Sequence, residues 1–431
     1  MDTIRYGRST GGRAAAVAVL TLLPLAAGPA AAASPSPSEM ASVVSDWNAV
    51  AVTTLIGDTG KAPVETFLYL GFVHAAIYDA VVGIHPRYQP YRPHHPAPPH
   101  ASATAAAAAA AHTILETYSP YAQAALDTAL AASLARVPDG AAKTAGIAYG
   151  ELVARDLVEL RAHDGRNAPV QYTPAPAPGV WRPTPPAYAP MAAPWLGGVT
   201  PLLARSAAQF APPAPPSLTS RRYTRDFIEV KLLGSIDSTV RTTAQTDLAR
   251  FFSGNAAVQV NVALRDQAAV RGLDIADAAR MFAAVVMTTA DALIVTWQSK
   301  LEHAYWRPIT AIQLADTDGN PDTAADPAWT PLLVTPNYPD YVSGYNAVIA
   351  ASSRALENVV GRRLNLTLGS TAVPGATRHY ESGTALRADV VNARIWLGIH
   401  FRTADTAART LGVDLADWSS RHYFRPAARH G

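Results

Sequence analysis

Three short runs in the last third of the chain combine residue types that could bind a small anion. The first is Trp297-Gln-Ser-Lys300-Leu-Glu-His303-Ala-Tyr-Trp306-Arg307-Pro308. Lys300 and Arg307 stand seven residues apart, which at about 3.6 residues per turn returns both to nearly one helical face. Pro308 disfavours a regular helix beyond Arg307, so the spacing predicts two cations side by side near a helix end. Taken alone, such a pair also reads as a solvated surface stripe. The second run is Tyr338-Pro-Asp-Tyr341-Val-Ser343-Gly344-Tyr345, followed by an apolar helix through Val360. Ser343 can cap that helix, and its first amides, Gly344 included, attract anions through unpaired N–H groups and the macrodipole. An ordinary N-cap has the same appearance. The third run, Asn392-Ala-Arg394-Ile-Trp-Leu-Gly-Ile-His400-Phe-Arg402, sets one more cation and one imidazole near a helix end. A lone histidine there also fits a satisfied core residue.

Together the three runs say more. The order Lys, six residues, Arg-Pro, then Ser-Gly, then Arg, five residues, His resembles the three-part signature of the vanadium-dependent haloperoxidases and the type 2 phosphatidic acid phosphatases. Trp297, Glu302, Trp306 and the Tyr-Pro-Asp-Tyr before Ser343 strengthen the match. The resemblance implies an oxyanion pocket inside a helical bundle. Lys300, Arg307 and Arg394 would neutralise the oxygens, while the Ser343 hydroxyl and the Gly344 amide would donate further hydrogen bonds. His400 would bond the central atom, vanadium (apically) in a peroxidase or phosphorus in a phosphatase. Lys300 would polarise bound peroxide, and Trp297 and Tyr338 would line a halide or organic-substrate pocket. Simple charge arguments agree, since a buried dianion needs opposite charge and directed donors. Vanadate is the cofactor on the first reading. On the second, phosphate is the substrate and no cofactor is required.

One position departs from the pattern. Where both families carry Ser-Gly-His, this chain has Ser343-Gly344-Tyr345. The histidine serves there as acid–base partner. Tyrosine, with an unperturbed pKa of about 10 against about 6.5 for histidine, is a poor proton shuttle near neutrality. Tyr345 is thus the third catalytic candidate beside His400 and Lys300, and His303 is a candidate substitute.

The elements that must position these residues read as helices. Apolar residues recur at helical spacing over 41–56, 63–83, 102–117, 121–136 and 140–162, then 223–233, 241–253, 256–270, 274–306, 343–361, 386–403 and 404–420. Residues 85–100 hold six prolines, and Pro169–Pro216 holds 14 prolines with only Arg182 and Arg205 charged. The expected fold is all-α, a helical bundle body with long proline-rich extended arms; Tyr172, Trp181, Tyr188, Trp195 and Phe210 offer anchors for the longer arm. Residues 34–431 are expected to form one domain, with N-terminal helices and the arm over 34–220 and the oxyanion-site helices over 221–431.

Composition narrows the functions. Zero cysteines among 431 residues exclude a disulfide scaffold, cysteine-ligated metal and a cysteine nucleophile. A net charge of +2 argues against a nucleic-acid partner. Arg5, Arg8 and Arg13 precede the apolar stretch 14–27 and a run of small residues ending at Ser34, so residues 1–33 read as a cleaved secretion signal. No later stretch is expected to span a membrane. The run Asp316-Thr-Asp318-Gly-Asn320-Pro-Asp322, with Asp326 beyond, offers calcium-like oxygens without EF-hand spacing, so an acidic turn is expected. The function that emerges is a secreted haloperoxidase-like enzyme acting on halide and hydrogen peroxide. The alternatives are an acid phosphatase acting on a phosphate ester through a phosphohistidine, and an oxyanion-binding member without turnover. A homodimer is left open.

Overall fold

A computed structural model describes residues 37–93 and 95–427, without the side chains of 37–41. The expected signal segment 1–33 and His94 lie outside the described residues, and the described elements all fall in one unit, Pro35–Gly431. The helices run α1 (Pro37–Gly57), α2 (Thr66–Ile84), α3 (Ala103–Tyr118), α4 (Gln123–Ala135), α5 (Ala141–Leu160), α6 (Arg221–Gly234), α7 (Thr243–Phe251), α8 (Ala256–Val270), α9 (Ile275–His303), α10 (Pro308–Gln313) and α11 (Gly344–Val360). A hairpin of β1 (Leu366–Gly369) and β2 (Thr377–Tyr380) follows, then α12 (Gly383–Trp396) and α13 (Arg402–His422).

The long helix α9 is the axis. Asp274 caps it by accepting hydrogen bonds from the Ala276 and Asp277 amides. From Ala278 to Trp297 nearly every side chain is apolar or small and buried. A helix apolar on all sides must sit inside a core. α2 packs along α9, as does α11, and α13 packs on α11. Two stretches, Pro63–Ile84 and Ile275–His303, are long and apolar enough to cross a membrane, where the sequence reading expected none. Their apolar windows are 89% and 94% buried, so among the described residues these are core helices.

The helical expectation holds, with three local differences. The hairpin was not foreseen; it pairs Leu366 with Tyr380 and Gly369 with Thr377 in antiparallel register, and four-residue strands carry too little alternation to read. The stretch expected as one helix over 274–306 breaks at His303. That expected over 386–403 ends at Trp396. Residues 161–220 contain no α-helix, only the short 3₁₀ turns Pro194–Gly198 and Ala207–Phe210. The aromatics singled out there divide: Trp181 and Trp195 are buried, but Tyr188 is 64% exposed. The backbone amides of Leu202, Leu203 and Ala204 all donate to the Asp291 carboxylate on α9, at 2.6, 2.8 and 2.8 Å. The Trp181 amide donates to the Ala304 carbonyl at 2.6 Å. This segment is therefore tied to α9 on both sides of Lys300.

Candidate functional site

Lys300 and Arg307 do not share a helical face. α9 stops at His303, Ala304 takes a left-handed conformation (φ 47°), and Arg307 is extended at the N-cap of α10. Pro308 does not end a helix but opens one, because its missing N–H and fixed φ suit the first helical position. The break turns the chain so that both cations enter the core, each with 0% exposure. Lys300 Nζ donates to the carbonyls of Pro339 and Asp340 at 2.6 and 3.1 Å. Arg307 Nε donates to Tyr338 O at 2.8 Å, and Nη1 to Ile399 O at 2.7 Å. The Tyr338 ring lies beneath both, 5.0 Å from Lys300 Nζ and 4.9 Å from Arg307 Cζ. The Trp297 ring packs on Tyr338 at 5.0 Å, and its indole N–H donates to Ala192 O of the 161–220 segment.

The 338–346 run then leads into α11. Ser343 occupies the N-cap of α11 with extended backbone (φ −69°, ψ 118°), but its hydroxyl makes no capping bond. This differs from the expected ordinary cap. The hydroxyl oxygen instead accepts from Asn346 Nδ2 at 3.4 Å, and the first-turn amides are left without intrahelical partners. At Gly344 an added Cβ would sit 3.3 Å from the Trp297 ring, so glycine lets the helix end approach the indole. Tyr345 turns its hydroxyl to Gln259 Oε1 at 3.0 Å. Its ring lies 4.6 Å from Arg394 Cζ, and burial pushes its hydroxyl upward.

Arg394 comes from the last turn of α12, and its Nη1 donates to Phe252 O at 3.0 Å. His400 lies in the linker between α12 and α13. Gly398 makes that linker possible: its φ is +77°, and an added Cβ would come 2.4 Å from the Gly234 carbonyl of α6. His400 Nδ1 is 2.7 Å from Asp340 Oδ1, and Arg307 Nη1 lies 3.2 Å from His400 Nε2 and 3.4 Å from Nδ1.

Two carboxylates missed by the sequence reading complete the group. Asp340 and Asp405 are both fully buried. Asp340 faces His400 and lies 3.8 Å from Arg307 Nη1. Asp405 accepts from Asn346 Nδ2 at 2.7 Å. Their signal was present, since Asp340 sits inside Tyr-Pro-Asp-Tyr and Asp405 follows His400 by five residues. Burial sets the charge states. Desolvation pushes His400 well below its ordinary range, with Arg307, Lys300 and Arg394 adding to the shift. Desolvation also lowers Lys300. It raises Asp340 to about 7 against the opposing pull of Arg307 and Lys300, and raises Asp405 well above the carboxylate range. Three buried cations facing two buried acids leave the group short of negative charge.

Donors remain open. Arg307 Nη2 and Arg394 Nε are buried with no hydrogen-bond partner, and buried donors are ordinarily paired. With the first amides of α11, they are the open donors of this buried cluster. His303 is not gathered into it: the half-buried ring packs on Tyr341 at 5.4 Å, and burial lowers its pKa. The Asp316–Asp326 stretch is a self-bonded turn. Asp318 accepts from the Asn320 amide and the Thr323 hydroxyl at 2.7 and 2.8 Å. Among the described residues, no three acidic or imidazole groups cluster to hold a metal cation.

A fully buried cluster of three cations and one imidazole, set inside a helical bundle, defines the site. Comparison with known proteins makes this specific. Residues 280–428 match the family model described as the second helical-bundle domain of VCPO. The vanadium chloroperoxidase of Curvularia inaequalis is 29% identical over 183 residues, covering 32% of this chain and 29% of that protein, so the match spans under a third of that relative. A bacterial vanadium-dependent iodoperoxidase superposes with a TM-score of 0.78 at 21% identity, covering 91% of this chain and 98% of that one. A bacterial vanadium-dependent chloroperoxidase in its apo form gives 0.68 at 18% identity, covering 83% and 92%. Over its last third the chain is thus similar in sequence to the vanadium haloperoxidases, and its fold is that of the bacterial vanadium haloperoxidases.

Proposed function

We propose that the protein is a vanadate-dependent haloperoxidase, exported through residues 1–33. The observation that carries this reading is the pair of unpartnered buried guanidinium nitrogens, Arg307 Nη2 and Arg394 Nε, beside His400. Vanadate, when bound, supplies a Lewis-acidic centre at which hydrogen peroxide is activated for attack by halide. The residues present suit it. Lys300, Arg307 and Arg394 neutralise its oxygens, the Ser343 hydroxyl and Gly344 amide donate to them, and His400 offers a neutral imidazole nitrogen. Burial removes competing water, which strengthens each of these contacts. Trp297 and Tyr338 form the aromatic wall on the halide side. Tyr345 keeps its hydroxyl on Gln259 and its ring on Arg394, so it holds a cation in place rather than carrying protons.

Reconstitution with vanadate, followed by bromination of an indicator dye with hydrogen peroxide and bromide, tests the reading. Dye bromination lost in His400→Ala supports it, and tight vanadate binding without bromination counts against it. Release of phosphate from a chromogenic ester, lost in the same variant, would favour the phosphatase instead. Failure of both assays while an oxyanion still stabilises the fold would favour binding without turnover. Export is tested by sequencing the N-terminus of the secreted protein, expected near Ser34.

A homodimer belongs to the same proposal. α6 exposes Ile228 and Leu232 one turn apart, and Ile236 is exposed just beyond the helix end. Arg225 lies at one end and Asp237 at the other, both exposed. Two copies antiparallel along this stripe would set opposite charges together. Leu232→Glu should then sediment as a monomer; a parent chain that already does so rejects the dimer.

A further inference from the structure

We infer that Asp340 is a positioning residue that selects the Nδ1–H tautomer of His400 and turns the Nε2 lone pair toward the cations. The inference rests on the proposal above that His400 bonds the anion. The tautomer is read from the Asp340 side of the ring. Arg307 Nη1 lies 3.2 Å from His400 Nε2 and 3.4 Å from Nδ1, so it sits against both nitrogens and assigns neither. Nδ1 lies 2.7 Å from Asp340 Oδ1, a donor–acceptor distance typical of a charge-assisted bond. A carboxylate there can only accept, which places the proton on Nδ1.

Position adds to this. His400 stands in the short linker between α12 and α13, so no helix restrains its ring. Asp340 is anchored firmly enough to do so. Its amide donates to Tyr305 O at 2.9 Å, and its carbonyl accepts from Lys300 Nζ at 3.1 Å. Its side chain lies 3.8 Å from Arg307 Nη1 and shows 0% exposure. One residue thus connects Lys300, Arg307 and His400, so a shift of its loop would move all three together. Imidazoles that bond a metal centre are regularly oriented by a carboxylate on the other nitrogen. Here that carboxylate comes from the run preceding Ser343.

The test uses the full chain without vanadate and reads the His400 ring by two-bond ¹H–¹⁵N correlation, assigned against His400→Gln. The parent and Asp340→Asn, which keeps an acceptor for Nδ1–H, should both show a fixed Nδ1–H tautomer. Asp340→Ala should show tautomer exchange and bind inorganic vanadate about 10- to 100-fold more weakly, with Asp340→Asn recovering most of that loss. A merely structural carboxylate would lower thermal stability without moving the tautomer. An unchanged tautomer in Asp340→Ala overturns the inference, and if that variant does not fold, an unchanged fixed tautomer in Asp340→Leu, which also removes the acceptor, overturns it instead. Vanadate affinity unaltered by His400→Gln would defeat the underlying anion assignment while leaving the tautomer result to stand separately.

Discussion

Asp291 and Arg307 are both fully buried charges, yet their surroundings are opposite. Asp291 accepts three backbone amides from residues 202–204 at 2.6–2.8 Å. These bonds hold down a carboxyl that burial raises to about 6. Arg307 is bonded on two of its nitrogens and leaves Nη2 open, as Arg394 leaves Nε. Asp164 follows the Asp291 pattern, paired with Arg161 and Arg166 at 2.8 Å. The contrast teaches that these carboxylates, which tie segments of the fold together, are saturated, while Arg307 and Arg394 keep unfilled donors. Unfilled buried donors cost stability, so they persist where a ligand fills them.

The largest effect should come from breaking the open side. Arg394→Met is expected to reduce vanadate-dependent bromination by about 100-fold or more, on the scale of losing one oxyanion donor. The unloaded protein should unfold at nearly the parent urea midpoint, because a buried cation has been exchanged for an apolar chain. Breaking the saturated side should do the reverse. Asp291→Ala strands three buried amides and should lower unfolding free energy by at least about 3 kcal/mol, read as an earlier urea midpoint, with vanadate affinity of the folded protein little changed. Equal loss of stability in both variants would dissolve the contrast.

His74 sharpens it in terms of pH. It is buried, accepts from Asn48 Nδ2 at 2.9 Å and stacks on Phe282 at 5.0 Å. Burial lowers its pKa to about 3. The unfolded chain protonates this group near its ordinary pKa of about 6.5, while the folded chain resists. Its contribution is therefore complete above about pH 6.5 and is lost as pH falls toward 3, at about 1.4 kcal/mol per unit. Asp79, raised by burial to about 7, has the opposite slope, so the His74 effect is seen as a difference. His74→Gln should flatten the fall in stability between pH 6 and pH 4 relative to the parent. The smallest effect is expected of Tyr345→Phe, which removes only the bond to Gln259. Its cost should be about 1 kcal/mol, with bromination within about threefold of the parent; a much larger loss of activity would return proton transfer to Tyr345.

How much of this was legible in the sequence can be argued residue by residue. Lys300, Arg307, Ser343, Gly344, Arg394 and His400 were recognisable because residue type and spacing carry the chemistry. The route that gathers them was not. The seven-residue separation of Lys300 and Arg307 suggested one helical face, but Ala304 in a left-handed turn separates them into two elements. An alanine carries no local mark for such a turn; packing of the 161–220 segment on the end of α9 imposes it. Asp340, in a loop, and Asp405, in the first turn of α13, were passed over for a related reason, since a lone carboxylate reads as solvated until its neighbours are known. Tyr345 was visible as a departure, and its bond to Gln259 on α8 was not.

The sequence by itself determined the helical class, through apolar spacing and capping residues, and which side chains make up the buried cationic cluster, through their order. Tertiary structure alone decided which donors remain open, which way His400 faces, and that two apolar helices long enough to cross a membrane form a core instead. The physical reason is range. Helical periodicity and residue chemistry act over a few neighbours, whereas desolvation and hydrogen-bond saturation depend on groups separated by tens to hundreds of residues, as Asp291 is from Leu202 and His400 from Arg307.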